Sequence, residues 1–380
     1  MSFPVKKLSE VTEINPRRPT IIRDDEQPTS FVPMGNVNAI LGTVSQLCTE
    51  PFSKVKKGYT YFANDDVIFA KITPCMQNGK HAVVRGLIDG FGFGSTEFHV
   101  IRPTNKVISE WIYFFLRRKE TLDAAVKTFT GAVGQQRVPA HFLANLELPV
   151  PPVEKQRRIA ARLKAQLTEV DKARQAAEVQ LQDVGNLANA IIYDSLNVNP
   201  PIKYPVAEAL EEIKKGIGEE WKEYPVLGAT RNGLAPAKEP PGKNPHRYKP
   251  VSPGTVFYNP MRILIGSIAF VDEDDKPGIT SPDYVALKGK QEVADSRWFY
   301  YWLRSPLGEQ FIKSLARGAV RERILFKRLA NGEIELPSFP VQRTASTALA
   351  ALKPMQQAIE GKIKEINMLP QKILSQAFDQ

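Results

Sequence analysis

The chain of 380 residues repeats itself at long range, and this constrains its architecture more than any other feature. The segment WIYFFLR at 111–117 returns as WFYYWLR at 298–304, which is 187 residues later. Shorter matches follow in the same order at nearly the same interval, ending with Gln156 in the first half and Gln342 in the second. Ordered matches at a nearly constant interval indicate a tandem duplication, so both halves should share one fold.

Each half begins with a mixed segment of short β-like runs and turns. The predicted strands cover residues 59–62, 67–72, 98–101, 256–258 and 263–271. The run FGFGS at 91–95 is interpreted as a turn that enters a strand over 95–100. An amphipathic helix follows around Trp111 in the first half and Trp298 in the second, and a Leu-Pro pair then leads into a long helical pattern.

Apolar residues in each long helical pattern follow one another at alternating steps of four and three. This 3.5-residue period is typical of a coiled coil. The two seams most simply bury each other, although each helix could instead pack on its own globular segment. Pro354 and Pro370 predict a kink or break in the second helix. The seam positions are Leu163, Leu167, Val170, Leu181, Val184 and Ile191 in the first helix, and Leu352, Ile359, Ile363, Ile366 and Ile373 in the second.

The resulting fold class is α+β, with two similar mixed α/β domains separated by two long helices that form an antiparallel coiled coil. The predicted domains cover residues 1–152 and 197–339, and the predicted helices cover 153–196 and 340–380. A helix of roughly 40 residues is about 60 Å long. We therefore expect the helices to hold the two domains a fixed distance apart.

Charge gives the first indication of a partner. Fifty-one Lys and Arg residues against 41 Asp and Glu residues give a net charge of +10, which favours polyanions such as nucleic acid. Two cysteines cannot make a disulfide framework, and no apolar run has the length of a membrane span or a signal peptide, so we expect a cytoplasmic protein. The four histidines are scattered, and no metal-ligand spacing or catalytic constellation is found, so the sequence predicts that this chain neither cuts nor methylates DNA.

Residues 148–159 (LPVPPVEKQRRI), followed by a heptad helix, resemble the central conserved region of the specificity subunits of type I restriction–modification systems. Residues 369–378 (LPQKILSQAF) resemble the last turns of that family's second conserved helix. The segments GSTEF at 94–98 and SPDY at 281–284 resemble parts of its target-recognition domains. The second helix start departs from the pattern, because residues 340–343 lack the family's Glu.

The resemblance implies a non-catalytic DNA-reading subunit. Residues 1–152 and 197–339 would be target-recognition domains 1 and 2, each reading one half of a bipartite, asymmetric site, with the helices setting the unread gap. The implied partners are double-stranded DNA, two methyltransferase subunits and restriction (translocase–nuclease) subunits, with no membrane. No cofactor is expected on this chain, since S-adenosylmethionine, ATP and Mg would reside on the partner subunits. The alternatives are the recognition subunit of a related bipartite-site system (type IIB or IIG-like) and a coiled-coil scaffold that binds proteins.

Candidate DNA-contacting residues are polar or basic side chains in loops bounded by Gly or Pro. In the loop 128–137, Gln135 and Gln136 suit adenine edges and Arg137 suits guanine or phosphate. The duplicate of this loop, 317–323, carries arginines instead of glutamines, which predicts a different half-site. Phosphate contact or a plain solvated loop is the alternative for each residue. The candidates are Lys54, Lys57, Lys71, Thr73, Gln135, Gln136 and Arg137 in the first domain, and Arg231, Asn259, Arg262, Arg317, Arg321 and Arg323 in the second.

Overall fold

The computed structural model describes residues 3–39, 42–132, 134–316 and 323–378, which fall into two units. Unit 1 comprises Met1–Ala177 with Lys362–Gln380, and unit 2 comprises Glu178–Gly361. Each unit therefore contains one copy of the duplication together with part of both long helical segments.

Unit 1 contains two four-stranded sheets and two smaller pairs of strands. Its strands are β1 (Val5–Lys7), β2 (Thr12–Ile14), β3 (Pro28–Val32), β4 (Val37–Asn38), β5 (Thr43–Val44), β6 (Cys48–Pro51), β7 (Thr60–Ala63), β8 (Val67–Ala70), β9 (His81–Val83), β10 (Phe91–Gly94), β11 (Phe98–Pro103) and β12 (Glu147–Pro149). Its helices are α1 (Leu8–Val11), α2 (Phe52–Val55), α3 (Ser109–Leu116), α4 (Lys119–Val126), α5 (Ala140–Asn145) and the first part of the long helix α6 (Val153–Asn197). The main sheet has the order β2-β11-β8-β9, the second has the order β6-β3-β10-β7, and β1 pairs with β12 and β4 with β5.

The core of unit 1 lies between the main sheet and α3. All four residues of β8 are buried, as its continuous apolar run requires of a strand covered on both faces. Trp111 of α3 is fully buried, and its Nε1 donates to the Pro149 carbonyl at 2.8 Å. The Phe378 ring, near the chain's end, packs on Trp111 with centroids 4.3 Å apart.

His81 of β9 is a buried titratable group in this core. Its ring stacks flat on Phe69, with centroids 4.1 Å apart, and neither ring nitrogen has a hydrogen-bond partner among the described residues. Burial lowers the pKa of His81 to about 3, so the ring is neutral at physiological pH.

Unit 2 repeats the main sheet of unit 1, while its other described strands form pairs and not a second four-stranded sheet. Its strands are β13 (Ile202–Pro205), β14 (Leu210–Glu212), β15 (Leu227–Thr230), β16 (Gly233–Pro236), β17 (Lys249–Val251), β18 (Val256–Tyr258), β19 (Ile268–Phe270), β20 (Gly278–Thr280), β21 (Val285–Gly289) and β22 (Glu333–Leu336). Its helices are α7 (Val206–Ala209), α8 (Ser296–Arg304), α9 (Pro306–Leu315), α10 (Phe326–Leu329) and α11 (Phe339–Ala350), and α12 (Leu352–Phe378) begins here. The main sheet has the order β14-β21-β18-β19, and β13 pairs with β22, β15 with β16 and β17 with β20.

The main sheets of the two units have the same strand order and the same antiparallel pairing. The pair β1–β12 likewise corresponds to β13–β22. A buried glutamine recurs with the same contacts in both units. The Gln156 side chain accepts from the Ile108 backbone N–H and donates to the Lys106 and Pro151 carbonyls. Gln342 accepts from the Asp295 N–H and donates to the Val293 and Pro337 carbonyls. The duplication predicted from the sequence is therefore a duplication of the fold.

The first long helix, α6, is a continuous element of 45 residues. The second long segment is divided at Ala351 into α11 and α12. Pro354 explains the division, because it has no N–H for the Ala350 carbonyl and its ring crowds that oxygen. Pro370, by contrast, lies inside the uninterrupted helix α12.

Apolar side chains of both helical segments join the core of each unit. Unit 1 combines the start of α6 with the end of α12, and unit 2 combines the end of α6 with α11, so the two segments run antiparallel. Each seam also packs on the globular part of its unit, so both burial schemes considered from the sequence occur together. Of the predicted seam positions, those buried are Leu163, Val184, Leu352 and Ile366, and those half-buried are Leu167, Val170, Leu181, Ile191, Ile359, Ile363 and Ile373.

Two local predictions were wrong. The segment FGFGS does not form a turn, because Phe91–Gly94 is strand β10 between β3 and β7. A Cβ atom at Gly94 would lie 2.5 Å from the Val32 carbonyl oxygen, so the glycine allows this close strand approach. The predicted strand over 263–271 is shorter, since Ile263–Ile265 is a 3-10 turn ended by left-handed Gly266, and β19 starts at Ile268.

Candidate nucleic-acid interface

The predicted loop 128–137 of unit 1 lies against the end of β8. The Val138 N–H donates to the Lys71 carbonyl at 2.9 Å, and the Thr73 N–H donates to the Gln136 carbonyl at 2.9 Å. Two segments that are far apart in sequence thus form one polar surface, on which Gln135 is exposed and the other side chains are half-buried. We call this surface the unit 1 rim, which comprises Lys71, Thr73, Gln135, Gln136 and Arg137.

A carboxylate holds the arginine of the rim. The Arg137 Nε donates to Glu97 Oε2 at 2.9 Å and its Nη2 donates to Oε1 at 2.7 Å, which makes a bidentate pair. The Arg137 Nη1 also donates to the Gln135 carbonyl at 3.0 Å. The hydrogen bond from Arg137 holds the pKa of Glu97 below its ordinary value, so the carboxylate is ionised at neutral pH.

A neutral histidine fixes the residue that follows the arginine. The His99 Nε2 lies 2.8 Å from the Val138 carbonyl, and because a carbonyl oxygen only accepts, this nitrogen carries the proton. The His99 Nδ1 then accepts from the Asn15 amide at 3.1 Å, while the Asn15 Oδ1 accepts from the Val100 N–H. Burial lowers the pKa of His99, which keeps the ring neutral. The base of the loop is therefore tied to the main sheet.

Unit 2 places its corresponding segments in the same way. The Ile324 N–H donates to the Pro260 carbonyl at 3.0 Å, as Val138 does to Lys71 in unit 1. Asn259 is half-buried, and its Oδ1 accepts from the Met261 N–H, while Arg262 is exposed. We call this surface the unit 2 rim, which comprises Asn259, Arg262 and Arg323. Arg317 and Arg321, also predicted to contact DNA, lie outside the described residues.

Arg323 also has a carboxylate partner. Its Nη2 lies 3.6 Å from the Asp283 Oδ1, and both side chains are at least half exposed. This ion pair is looser than the one between Arg137 and Glu97, since the aspartate side chain is shorter by one methylene and makes a single contact.

The remaining candidates lie elsewhere. Lys54 is on α2, which packs against β3 and β6 of the second sheet of unit 1, and it pairs with Glu50 at 3.2 Å. Lys57 follows α2 and is exposed. The structure thus places both lysines on a different sheet from the unit 1 rim. Arg231 is exposed in the turn between β15 and β16, and its Nε donates to the Ile265 carbonyl at 3.3 Å.

Sequence reasoning selected basic and amide residues and missed the acidic residues and the histidine that hold them. Glu97 and Asp283 lie in the segments GSTEF and SPDY, which were noted for their family resemblance but not for a role. A signal was present, because Glu97 and Asp283 are 186 residues apart, as are Arg137 and Arg323.

Residues 3–39, 42–132, 134–316 and 323–378 present neither a metal-binding cluster nor a membrane-spanning helix. This part of the chain contains no group of three or more His, Cys, Asp or Glu side chains that could hold a metal ion. Among the helices described there, none combines the length and the apolar character that crossing a membrane requires.

The fold and the rims together define a class of protein: a duplicated chain whose two mixed α/β units are joined through long helices and present polar loops. Residues 2–178 match the sequence profile of the type I restriction modification DNA specificity domain. The specificity subunit of the type I restriction enzyme EcoAI of Escherichia coli is 35% identical over 195 residues. That match covers 50% of this chain and 33% of the relative, so it spans about a third of the length of the relative.

Solved structures extend the likeness to the whole fold. A chain from a study of complex assembly and conformational transition of the type I R-M system has a TM-score of 0.70 and 20% identity, covering 99% of this chain and 97% of its own. The HsdS subunit from Thermoanaerobacter tengcongensis has a TM-score of 0.52 and 20% identity, covering 99% and 96%. Sequence similarity to the type I restriction modification DNA specificity domain thus covers residues 2–178, and the solved structures share the fold of nearly the whole chain.

Proposed function

We propose that this chain is the non-catalytic DNA specificity subunit of a type I restriction–modification enzyme, and that each unit reads one half of a bipartite, asymmetric site. The observation that carries the proposal is the repetition of the rim. In each unit, a loop that carries an arginine lies against the end of an equivalent strand of the main sheet, β8 in unit 1 and β18 in unit 2. The contacts are the Val138–Lys71 hydrogen bond in unit 1 and the Ile324–Pro260 hydrogen bond in unit 2. The net charge of +10 favours a polyanionic partner for the chain as a whole.

Two linked readers solve a problem of discrimination. A wrong base pair costs about 1–3 kcal/mol, so a half-site of a few base pairs is read poorly by one unit alone. When one unit is bound, the other is held near the DNA at a high effective concentration, provided that the gap between the half-sites fits. The two rims each carry one carboxylate-paired arginine but differ in their other side chains, with Gln135 and Gln136 in unit 1 and Asn259 and Arg262 in unit 2, which favours two different half-sites.

The proposal includes the partners that this kind of subunit requires. Two methyltransferase subunits would supply S-adenosylmethionine and the methylation chemistry, and restriction subunits would supply ATP- and Mg-dependent translocation and cleavage. The specificity subunit itself would contribute recognition and docking without a cofactor, acting on cytoplasmic DNA.

The helices would set the length of the unread gap, so lengthening both helices should lengthen the gap. Four residues are inserted into α6 after Ala177 and into α12 after Gly361, at the chain positions where the two units divide. Each helix lengthens by about 6 Å. Selection from a pool of randomised duplexes should then recover the same two half-sites with a longer gap.

Each other outcome contradicts a defined part of the proposal. An unchanged gap would show that the helices do not set the spacing. Failure of the unmodified chain to select any bipartite sequence would refute the function itself. Phosphate contacts release counterions and make DNA binding fall steeply with salt. If DNA binding by this chain lacked that dependence, the alternative of a protein-binding scaffold would be favoured.

A further inference from the structure

The arginine on each rim has a carboxylate partner at the same place in the fold. Ile101 of β11 and Leu287 of β21 are equivalent positions, because they pair with the last residues of β2 and β14, respectively. Glu97 lies four residues before Ile101, and Asp283 lies four residues before Leu287. The pairs Glu97–Arg137 and Asp283–Arg323 are therefore equivalent under the duplication, with the carboxylate before the strand and the guanidinium on the loop.

Two other ion pairs are equivalent under the duplication, but their acidic and basic members have exchanged places between the units. In unit 1, Arg85 after β9 pairs with Glu110 of α3. In unit 2, Asp272 after β19 pairs with Arg297 of α8, and both members lie 187 residues after their counterparts. The charges are exchanged between these sites, so an ion pair that joins two elements of this fold works in either polarity. On the rims, the guanidinium is on the loop in both copies.

The geometry of Arg137 explains what this arrangement leaves available. A guanidinium has five N–H groups, of which Glu97 takes one on Nε and one on Nη2, and the Gln135 carbonyl takes one on Nη1. In the described part of the chain, one N–H therefore remains on each terminal nitrogen, and the end of the guanidinium can present these two groups as a donor fork. The side chain is 42% exposed. A fork of this kind matches the O6 and N7 acceptors of guanine.

Charge decides between a base and a phosphate. Glu97 neutralises most of the attraction of Arg137 for a phosphate group, and its own negative charge repels one. The directional fork is unaffected, because its two N–H groups point away from the carboxylate. An ion-paired arginine thus loses the property that suits phosphates and keeps the property that suits a base edge.

We propose that Arg137 and Arg323 each read a guanine, one in each half-site, and that Glu97 and Asp283 are positioning residues that orient these arginines and screen them from phosphates. This inference rests on the proposed function and adds the base that each rim recognises. The reading should be sharper in unit 1, where the pair is bidentate, than in unit 2, where the contact is 3.6 Å.

The test compares base preferences of variants of the full chain in selections from randomised duplexes at physiological salt. Arg137→Lys keeps the charge and removes the fork, so one guanine position in one half-site should lose its preference, by roughly 5- to 150-fold in the ratio of Kd values. The other half-site should be unchanged, which shows in the same molecule that the chain is folded. Arg323→Lys should affect a guanine in the other half-site.

Glu97→Gln tests the positioning role. It should weaken the preference at the same position as Arg137→Lys, and it should steepen the log–log dependence of affinity on salt by roughly 0.9, because the released guanidinium then reaches a phosphate. Arg85→Lys is the matched control, since it alters a carboxylate-paired arginine of the same unit away from the rim, and it should leave the selected sequence unchanged.

Selection of the original sequence by Arg137→Lys would overturn the guanine assignment. Loss of preference in Arg137→Lys but not in Glu97→Gln would overturn the role of the carboxylate. If the unmodified chain selected a bipartite sequence while both variants behaved like it, the inference would fail and the proposed function would stand. If the unmodified chain selected none, both would fail.

Discussion

Replacing Gln156 by Leu should destabilise unit 1 without affecting unit 2. Gln156 is fully buried, and its amide makes three hydrogen bonds of 2.7–3.0 Å to the backbone of Ile108, Lys106 and Pro151. Leucine fills nearly the same volume but satisfies none of these groups. At about 0.5–1.5 kcal/mol for each hydrogen bond, the free energy of unfolding should fall by about 1.5–4.5 kcal/mol.

Native-state hydrogen exchange is the appropriate assay, because a chain with two units is not expected to unfold in one two-state step. The opening free energy of amides in α3 and β12 should fall by the stated amount, while amides in β18 and α8 should keep theirs. Gln342→Leu should give the reverse pattern, since Gln342 makes the corresponding three bonds in unit 2.

Gln166→Leu is the matched control, because Gln166 is an exposed glutamine of α6 and should change stability by about 0.5 kcal/mol or less. The reasoning would be refuted if Gln156→Leu cost no more than this control. It would also be refuted if both units lost stability equally, since the hydrogen bonds of Gln156 all lie within unit 1.

Three further changes test the packing of unit 1. In the wild-type chain, His81 makes the free energy of unfolding fall as the pH is lowered from 6.5 to about 3. His81→Phe should reduce the slope of this fall by up to about 1.4 kcal/mol per pH unit. The unfolded chain protonates this histidine in that range and the folded chain does not, and denaturant titrations at several pH values measure the difference. Gly94→Ala should cost about 1–3 kcal/mol in the same titrations, because the added Cβ meets the Val32 carbonyl. Pro370→Ala should raise the stability of α12 by up to about 3 kcal/mol, visible as slower amide exchange, because it restores an N–H for the Ile366 carbonyl.

Helical periodicity was the most predictive part of the sequence. Every position of the predicted seam is buried or half-buried, since an apolar stripe at this spacing can be covered along its whole length only when the helix continues without a change of face. Pro354 correctly predicted a break in the second helix, which lies at Ala351. Pro370 did not break the helix, so the surrounding packing can hold a proline inside α12.

Short strands were harder to predict. The run at 91–94 alternates Phe with Gly and reads locally as a turn, but its glycines allow close approach to Ser30 and Val32 on the neighbouring strand β3. The apolar run at 263–271 reads as one strand, but Gly266 adopts a left-handed conformation that divides it. In both cases the deciding contact comes from elsewhere in the fold, and a local pattern does not contain it.

The rims show the same limit for function. Arg137 was singled out by its loop, but Glu97, which determines which of its N–H groups are available, is 40 residues away and became its partner only through the sheet. Comparing the two halves of the chain provides some of that missing information. A position that keeps its charge in both copies, as Arg137 and Arg323 do, differs from one that exchanges it, as Glu110 and Arg297 do.

The rim and the long helix of each unit are connected through buried contacts, and this bears on how a spacer could work. In unit 1, Glu97 leads directly into β11, which leads into α3, and Gln156 ties the start of α3 to the start of α6. In unit 2, Asp283 leads through β21 and α8 to Gln342 at the start of α11. Because a buried amide with three hydrogen bonds resists displacement, the strand and helix that lead from each rim are fixed to the start of α6 in unit 1 and of α11 in unit 2. If the proposed function holds, a longer α6 should therefore displace the unit 1 rim directly, whereas a longer α12 acts on unit 2 through the division at Ala351. A rim fixed to its helix is the condition under which a helix specifies a gap between half-sites.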